Sequence, residues 1–277
     1  MIPLRVRIEV NADQPFVVRL RSLEAESHQQ EPDRLDPSDV LLERAGPYGA
    51  DYRGEGGPLR VLGIDPSEVD GDVLLVNPRR ATADRLIRST SSHNTFLVTE
   101  RCDQVCVMCS QPPKEHHVDM FPYFEAAALL APESATIGIS GGEPTLFKAQ
   151  LFAFLKSVLD KRPDLSFHIL TNGQHFEEGD RPATAGLDQT RIVWGVPLYS
   201  HDPAIHDQVV GKPGAQKRLL ENLAFLCRVG AAIELRTVLM QPNAPGLPQL
   251  ARFITVMLPF IRTWAVMQTE NIGYGRM

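Results

Sequence analysis

Thr95-Phe96-Leu97-Val98-Thr99-Glu100-Arg101-Cys102-Asp103-Gln104-Val105-Cys106-Val107-Met108-Cys109-Ser110 joins a short apolar strand directly to a C-x-x-x-C-x-x-C array. Cysteine thiolates are soft ligands suited to iron–sulfur clusters and zinc. A loop this short brings three sulfurs to three corners of one cuboidal centre and leaves one iron without a protein ligand. An open position is what a catalytic centre needs, whereas a closed one serves structure or simple electron transfer. Two other metal readings stand beside this one. A structural zinc site would draw its fourth ligand from His116-His117, and an electron-transfer or oxygen-sensing cluster would draw it from Cys227. Cys227 lies in the apolar stretch Leu223–Val229 and reads as a core residue. Three of the four cysteines fall within eight residues, which is not the spread of a disulfide framework.

Downstream, the strand–loop–helix pattern repeats. Strands are expected at Ala135–Ser140, which runs into Gly141-Gly142, and at Ser166–Thr171, which stops at Asn172-Gly173. Others are expected at Arg191–Tyr199, Ala232–Leu239 and Thr263–Gln268. Such near-continuous apolar strands suit a parallel sheet buried on both faces. Helices are expected at Tyr123–Leu130, Leu146–Lys161, Ala215–Val229 and Pro248–Leu258, with Glu177–Gln189 mostly loop. Six units are too few for a complete eight-stranded barrel, which leaves an open, partial (β/α)6 TIM-like barrel or a doubly wound sheet. The chain ends just after the sixth strand, so the final helix is expected to be missing, and the chain reads as a fragment or as one with a bare edge.

Residues 1–90 read as a small, loop-rich β domain, ahead of the 91–277 barrel domain. Short β-like runs, Leu4–Val10, Phe16–Leu20, Leu59–Leu62 and Asp72–Val76, are separated by the polar loops Glu24–Asp36 and Gly46–Pro58. The net charge of −6 carries no basic footprint of the kind nucleic-acid binding requires. Arg79, Arg80, Arg85 and Arg88, interspersed with acidic residues, read as a solvated surface. No apolar run reaches membrane-spanning length and no secretory signal opens the chain, so a soluble, cytoplasmic protein with neither membrane nor nucleic-acid partner is expected.

Two motifs together resemble the radical S-adenosylmethionine (SAM) superfamily. These are Cys102-x-x-x-Cys106-x-x-Cys109 after the first barrel strand and Ile139-Ser140-Gly141-Gly142-Glu143-Pro144-Thr145 after the second. The resemblance implies a 4Fe–4S cluster on Cys102, Cys106 and Cys109, and SAM bound at its open iron. It places the SAM amino group at the Gly141–Glu143 loop, where side-chain-free glycines permit close approach. Met108 stands where many relatives carry an aromatic near adenine, and can pack softly on a ring. The segment Leu198-Tyr199-Ser200-His201-Asp202-Pro203, followed by His206-Asp207 and Gly211, is also similar to the family. It offers Ser200 to the SAM ribose or carboxylate, and Arg236 on the fifth strand is placed to face the carboxylate. As alternatives, Ser200 caps the following helix and Arg236 joins a structural ion pair. Asn172 is a further cofactor-binding candidate, with a turn role as its alternative. Asp103 departs from the asparagine common after the first cysteine.

Within the superfamily, Thr99-Glu100-x-Cys102 and Met108-Cys109-Ser110-Gln111-Pro112-Pro113-Lys114, preceded by Ser92-His93-Asn94-Thr95, resemble the His-Xaa-Ser system radical SAM maturase, C-type member. That resemblance implies a peptide or small-protein substrate with His-Xaa-Ser repeats, a second radical SAM enzyme as partner, and a flavodoxin- or ferredoxin-type electron donor. A small-molecule substrate is the alternative. Trp264 and Met267 read as core, and His116-His117 as exposed loop.

Overall fold

The structure is a computed structural model and describes residues 4–22 and 36–276. By internal contacts the chain divides into two compact units, Met1–Thr95 with Pro122–Ala135, and Phe96–Phe121 with Thr136–Met277.

The first unit contains a closed seven-stranded barrel, ordered β1-β5-β4-β3-β2-β6-β7. Its strands are β1 (Arg5–Val10), β2 (Phe16–Arg21), β3 (Asp39–Gly46), β4 (Gly49–Gly54), β5 (Gly57–Leu62), β6 (Val73–Asn77) and β7 (Thr82–Ile87). Pairing of β1 with β7 closes it. Period-2 alternation turns Val6, Ile8, Val18, Leu20, Leu59 and Val61 into one core. Two expectations fail here. The stretch Gly46–Pro58 is not a loop, because it holds β4 and two tight hairpins. Its turn residues, Gly46-Pro47-Tyr48-Gly49 and Glu55-Gly56, lie so close together that they masked the short strand between them. Arg85 is not solvated surface: it is buried and pairs with buried Asp72 at 2.5 Å. The expected loop Glu24–Asp36 lies outside the described residues except for Asp36.

The second unit is the α/β part, a partial (β/α)6 barrel. Its sheet runs β13-β12-β11-β10-β9-β8. The strands are β8 (Asn94–Thr99), β9 (Thr136–Gly141), β10 (Ser166–Leu170), β11 (Ile192–Pro197), β12 (Ala232–Leu239) and β13 (Thr263–Gln268). From β9 to β13 every neighbouring pair is parallel. Between β8 and β9 the chain forms α1 (Phe121–Leu129), which from Pro122 onward is counted with the first unit. The helices of the second unit are α2 (Lys148–Lys161), α3 (Arg181–Ala185), α4 (Pro203–Val210), α5 (Ala215–Arg228) and α6 (Leu247–Met257). After β13 comes a single 3-10 turn, Gly273–Arg276.

Only one face of this sheet is fully buried, contrary to the expectation of two. Ile137, Ile139, Phe167, Ile169, Trp194 and Leu235 are buried, and Phe154 of α2 meets Phe167 edge-on at 5.6 Å. The alternate residues Gly138, Ser140, His168, Leu170, Glu234 and Arg236 are half-buried. Apart from Leu170, those positions are small, polar or ionic, so this face is left largely for a site rather than for packing. Cys227 is exposed, not core. Its helix α5 buries Leu219, Leu223 and Leu226, spaced three or four apart, and residue 227 falls off that stripe.

Candidate functional site

The C-terminal ends of the parallel strands surround a cavity of about 470 Å³. Its lining includes Cys102, Cys106, Met108 and Cys109 from the loop after β8, with Gly141 and Gly142 after β9. Asn172 after β10, Tyr199 after β11 and Arg236 on β12 complete the ring. Eight of the ten residues singled out from sequence thus share one cavity. Glu143 and Ser200 do not line it.

The two glycines bring the halves of the site together. Gly142 N–H donates to the Thr99 carbonyl at 2.8 Å, and Glu143 N–H to the Arg101 carbonyl at 2.7 Å. A Cβ on Gly141 would collide with the Thr99 carbonyl, and one on Gly142 with that of Arg101. Gly141 also has φ +144°, which L side chains rarely adopt. The diglycine therefore admits the chain's own cysteine-bearing segment at backbone distance.

Glu143 is fully buried and spends its carboxylate locally. It accepts from Thr145 N–H at 2.8 Å, the Thr171 hydroxyl at 2.7 Å and Asn172 N–H at 2.5 Å, and also from the Thr145 hydroxyl. Burial pushes its pKa up, and these donors pull against that shift. Glu143 thereby caps the turn before α2 and ties β9 to the end of β10. Ser200 is also buried. Its hydroxyl accepts from Asp202 N–H at 3.0 Å, in a turn before α4, and its carbonyl accepts from Gln216 Nε2 at 2.8 Å. Asp202 caps α4 itself, through Ala204 N–H at 2.9 Å.

The cysteine loop is held on three sides. Val105 and Val107 N–H donate to the carbonyls of Val210 and Val209, at 3.1 and 3.0 Å, at the end of α4. Asp103 accepts from Asn172 Nδ2 at 2.8 Å, pairs with Lys212, and lies 3.2 Å from His175 Nε2. The Cys109 carbonyl accepts from Tyr274 N–H at 2.8 Å. Gly273, with φ +55°, makes this contact possible, since a Cβ there would strike the same carbonyl. Sequence reading missed Lys212, His175, Gly273 and Tyr274 as parts of the site. No local pattern joins positions so distant along the chain to residues 103–109.

The three thiols are free, and two of them, Cys102 and Cys106, resist ionisation. Burial raises the pKa of Cys102 to about 11 and that of Cys106 to about 12, with further upward pressure from neighbouring thiols and Asp103. The Cys109 thiol donates to the Gln111 carbonyl at 3.0 Å. Among the described residues, no group of three or more His, Cys, Asp or Glu converges tightly enough to hold a single metal ion. The zinc reading with His116-His117 lacks that convergence. Neither histidine lines the cavity: His117 stacks on Phe147 at 3.7 Å and its Nδ1 lies 3.1 Å from the Thr99 hydroxyl, so it is pinned rather than free in solvent.

On the opposite wall, the Arg236 guanidinium donates to Glu234 at 2.7 Å and to Met267 Sδ at 3.2 Å. Met267, read as core, instead lines the cavity with Gln268 and Glu270. Its outward turn follows from the period of β13, which pairs Val238 with Met267. Trp264, half-buried, donates to the Thr237 hydroxyl at 2.9 Å.

No family model matches the chain. A GTP 3',8-cyclase of Nautilia profundicola is 32% identical over 152 residues, which are 52% of this chain and 46% of that protein. A GTP 3',8-cyclase of Aliarcobacter butzleri is 26% identical over 151 residues, 51% of this chain and 44% of the relative. The matches thus span under half the length of these curated relatives. Among solved structures, Streptococcus suis SuiB bound to S-adenosylmethionine aligns with a TM-score of 0.55 at 18% identity, over 68% of this chain and 43% of SuiB. anSMEcpe with bound AdoMet and the Cp18Cys peptide aligns with a TM-score of 0.52 at 12% identity, over 63% of this chain and 50% of that one. At these identities the structural likeness is one of fold.

Proposed function

We infer that the α/β unit belongs to the radical SAM superfamily, and propose that Cys102, Cys106 and Cys109 hold a 4Fe–4S cluster at which SAM is reductively cleaved to modify a peptide or small protein. The observation that carries this reading is the single cavity shared by three free thiols, the diglycine turn, Asn172 and Arg236. The donor set suits the group in kind: three soft sulfurs line one cavity, and the fourth cysteine, Cys227, is not among the residues that line it.

When bound, such a cluster supplies the single electron that breaks SAM's sulfonium carbon–sulfur bond, releasing methionine and a radical able to abstract hydrogen from substrate. The chain's own residues bind, orient and exclude water. Gly141 and Gly142 expose backbone toward the SAM amino group. Arg236, its direction fixed by Glu234 and Met267, faces the SAM carboxylate as a preorganised donor. Asn172 offers its side chain from the cavity wall, and Met108 packs on adenine. Glu143 and Ser200 act at one remove, by fixing the turns after β9 and β11. Tyr199 supplies a buried wall, its phenol kept protonated by burial.

The resemblance of the Thr99–Lys114 segment to His-Xaa-Ser maturases favours a peptide with such repeats, a second radical SAM enzyme beside this one and a flavodoxin- or ferredoxin-type donor. SuiB and anSMEcpe, whose solved complexes include a precursor peptide and Cp18Cys, are consistent with a peptide substrate. A second reading, a radical SAM enzyme acting on a nucleotide, is favoured by the relatives named as GTP 3',8-cyclases. Among the described residues no helix is long and apolar enough to cross a membrane.

The two substrate readings are separated by supplying reconstituted protein, SAM and dithionite with a His-Xaa-Ser repeat peptide carrying deuterium, or with deuterated GTP. Deuterium appearing in 5′-deoxyadenosine from the peptide alone supports the maturase. Transfer from GTP alone overturns it in favour of the nucleotide reading.

A further inference from the structure

Asp103 sits immediately after the first cysteine, where its side chain is about a quarter exposed, yet it gathers three partners from two separate stretches of chain. Asn172 and His175 come from the loop after β10, and Lys212 follows α4. None of these partners is loose. Asn172 N–H donates to Glu143 at 2.5 Å, and its side-chain oxygen accepts from Gln174 N–H at 3.0 Å. Gln174 and the Gly173 carbonyl are held in turn by Ala215 and Asn222 of α5, at 3.1 and 2.7 Å. Lys212 N–H donates to the Asp207 carbonyl at 3.1 Å. His175 is held through its carbonyl, which accepts from Lys148 Nζ at 3.2 Å, and its buried Nε2 lies 3.2 Å from the Asp103 carboxylate.

We propose that Asp103 is a positioning residue that locks the cysteine loop into its ligand-presenting shape before any cluster is bound. The proposal rests on the reading of Cys102, Cys106 and Cys109 as cluster ligands, and asks what shapes their loop in its absence. Such a loop has little to hold it by itself. It carries no helix or strand between residues 100 and 120, and ordering each residue is costly. Three sulfurs brought together gain nothing from one another until a metal centre joins them. The ordering must come from outside the sulfurs: backbone bonds from Val105, Val107 and Tyr274 give part of it, and the carboxylate at 103 adds side-chain ties to two anchored elements. Its charge matters. An asparagine there retains an acceptor for Asn172, but loses the attraction to Lys212 and the support of His175.

With the loop already shaped, metal uptake does not have to supply the ordering entropy, so uptake is faster and more complete. Lys212 serves the same end from the other side. It lies outside the cavity lining, and its replacement removes one ion pair without touching a sulfur.

The test is hydrogen exchange on the full-length, metal-free, thiol-reduced chain, read at Val105 and Val107. Their N–H groups bond to the end of α4. Asp103→Asn and Lys212→Met should each speed exchange at these two amides about tenfold or more, while amides of β10 and α2 keep wild-type rates. In parallel, iron incorporation at limiting iron and sulfide should slow several-fold in both variants, and Asp103→Glu should restore part of both effects. Wild-type exchange at Val105 and Val107 in both variants overturns the proposal. If Asp103→Asn loses structure throughout the unit, Lys212→Met decides alone, by the same two readings. Because exchange is read without metal, the result stands apart from the functional assignment. A wild-type chain that never assembles a cluster sinks that assignment and leaves the exchange pattern to be judged separately.

Discussion

Cys106 packs against the buried cluster of Tyr199, Val209, Val210 and Ala215, which makes it a sulfur whose loss is poorly repaired by solvent or a substitute ligand. Cys106→Ala is expected to remove iron binding and SAM cleavage together, as read by iron content and product formation. Gly142 is as exacting for another reason. Alanine there meets the Arg101 carbonyl, so Gly142→Ala should cost about 2 kcal/mol or more in a thermal or denaturant melt and separate the glycine turn from the cysteine loop. His206 gives a pH signature. It is 1% exposed, its Nδ1 accepts from Tyr199 N–H at 3.2 Å, and burial lowers its pKa to about 4. A histidine depressed in the fold binds its proton more readily when unfolded. Its neutral form therefore contributes full stability above the unfolded pKa near 6.5, and that contribution is lost as pH falls from there toward 4. The loss amounts to about 3 kcal/mol for a shift of this size. Melts of wild type and His206→Asn should differ in slope across that window, with the variant flatter. Equal slopes would assign the acid sensitivity to other groups.

At the scale of elements, α4 acts as a splint for the cysteine loop. Its end receives Val105 and Val107, and Gly211, in the left-handed region at φ +65°, passes under Val105 where a Cβ would lie 2.6 Å from Val105 Cγ2. Gly211→Ala should therefore lower stability by about 1–2 kcal/mol and loosen the loop more than the sheet, as mapped by exchange or proteolysis. The cysteine array and the diglycine turn were legible in the sequence because each is a contiguous pattern with its own chemistry. Alternating strands and helices were legible from hydrophobic period. The splint was not, because Val105–Val210 and Asp103–Lys212 are contacts across more than a hundred residues with no repeating signature. The purpose of the glycines was only half legible. Their sequence announces a close approach, but only the fold shows that the approaching group is the chain's own Thr99–Arg101 backbone.

For the molecule as a whole, the two units follow different rules. The first is a closed barrel whose strands mostly alternate between core and outward residues, except for β6, where Val73 to Val76 are all buried. Within it the Arg85–Asp72 pair is sealed from water. Burial pushes the Asp72 pKa up against the pull of Arg85, so the pair is stable only while intact. Arg85→Met should cost about 3–5 kcal/mol by leaving a buried carboxylate without its partner, read as early cleavage within residues 36–95 by a protease. Sequence alone could not expose this, because an arginine near other arginines looks solvated until its strand is known to face inward. The second unit holds the candidate site. Its half-buried sheet face, which carries Gly138, Ser140, Glu234 and Arg236 where a packed barrel is branched and apolar, opens onto the cavity of the three thiols. The most direct measurement is the formation of 5′-deoxyadenosine by protein reconstituted anaerobically with iron and sulfide, then given SAM and dithionite. The nucleoside should form with wild type and be absent with Cys106→Ala. A wild-type protein that takes up a full complement of iron and sulfide, yet releases no 5′-deoxyadenosine, contradicts the account.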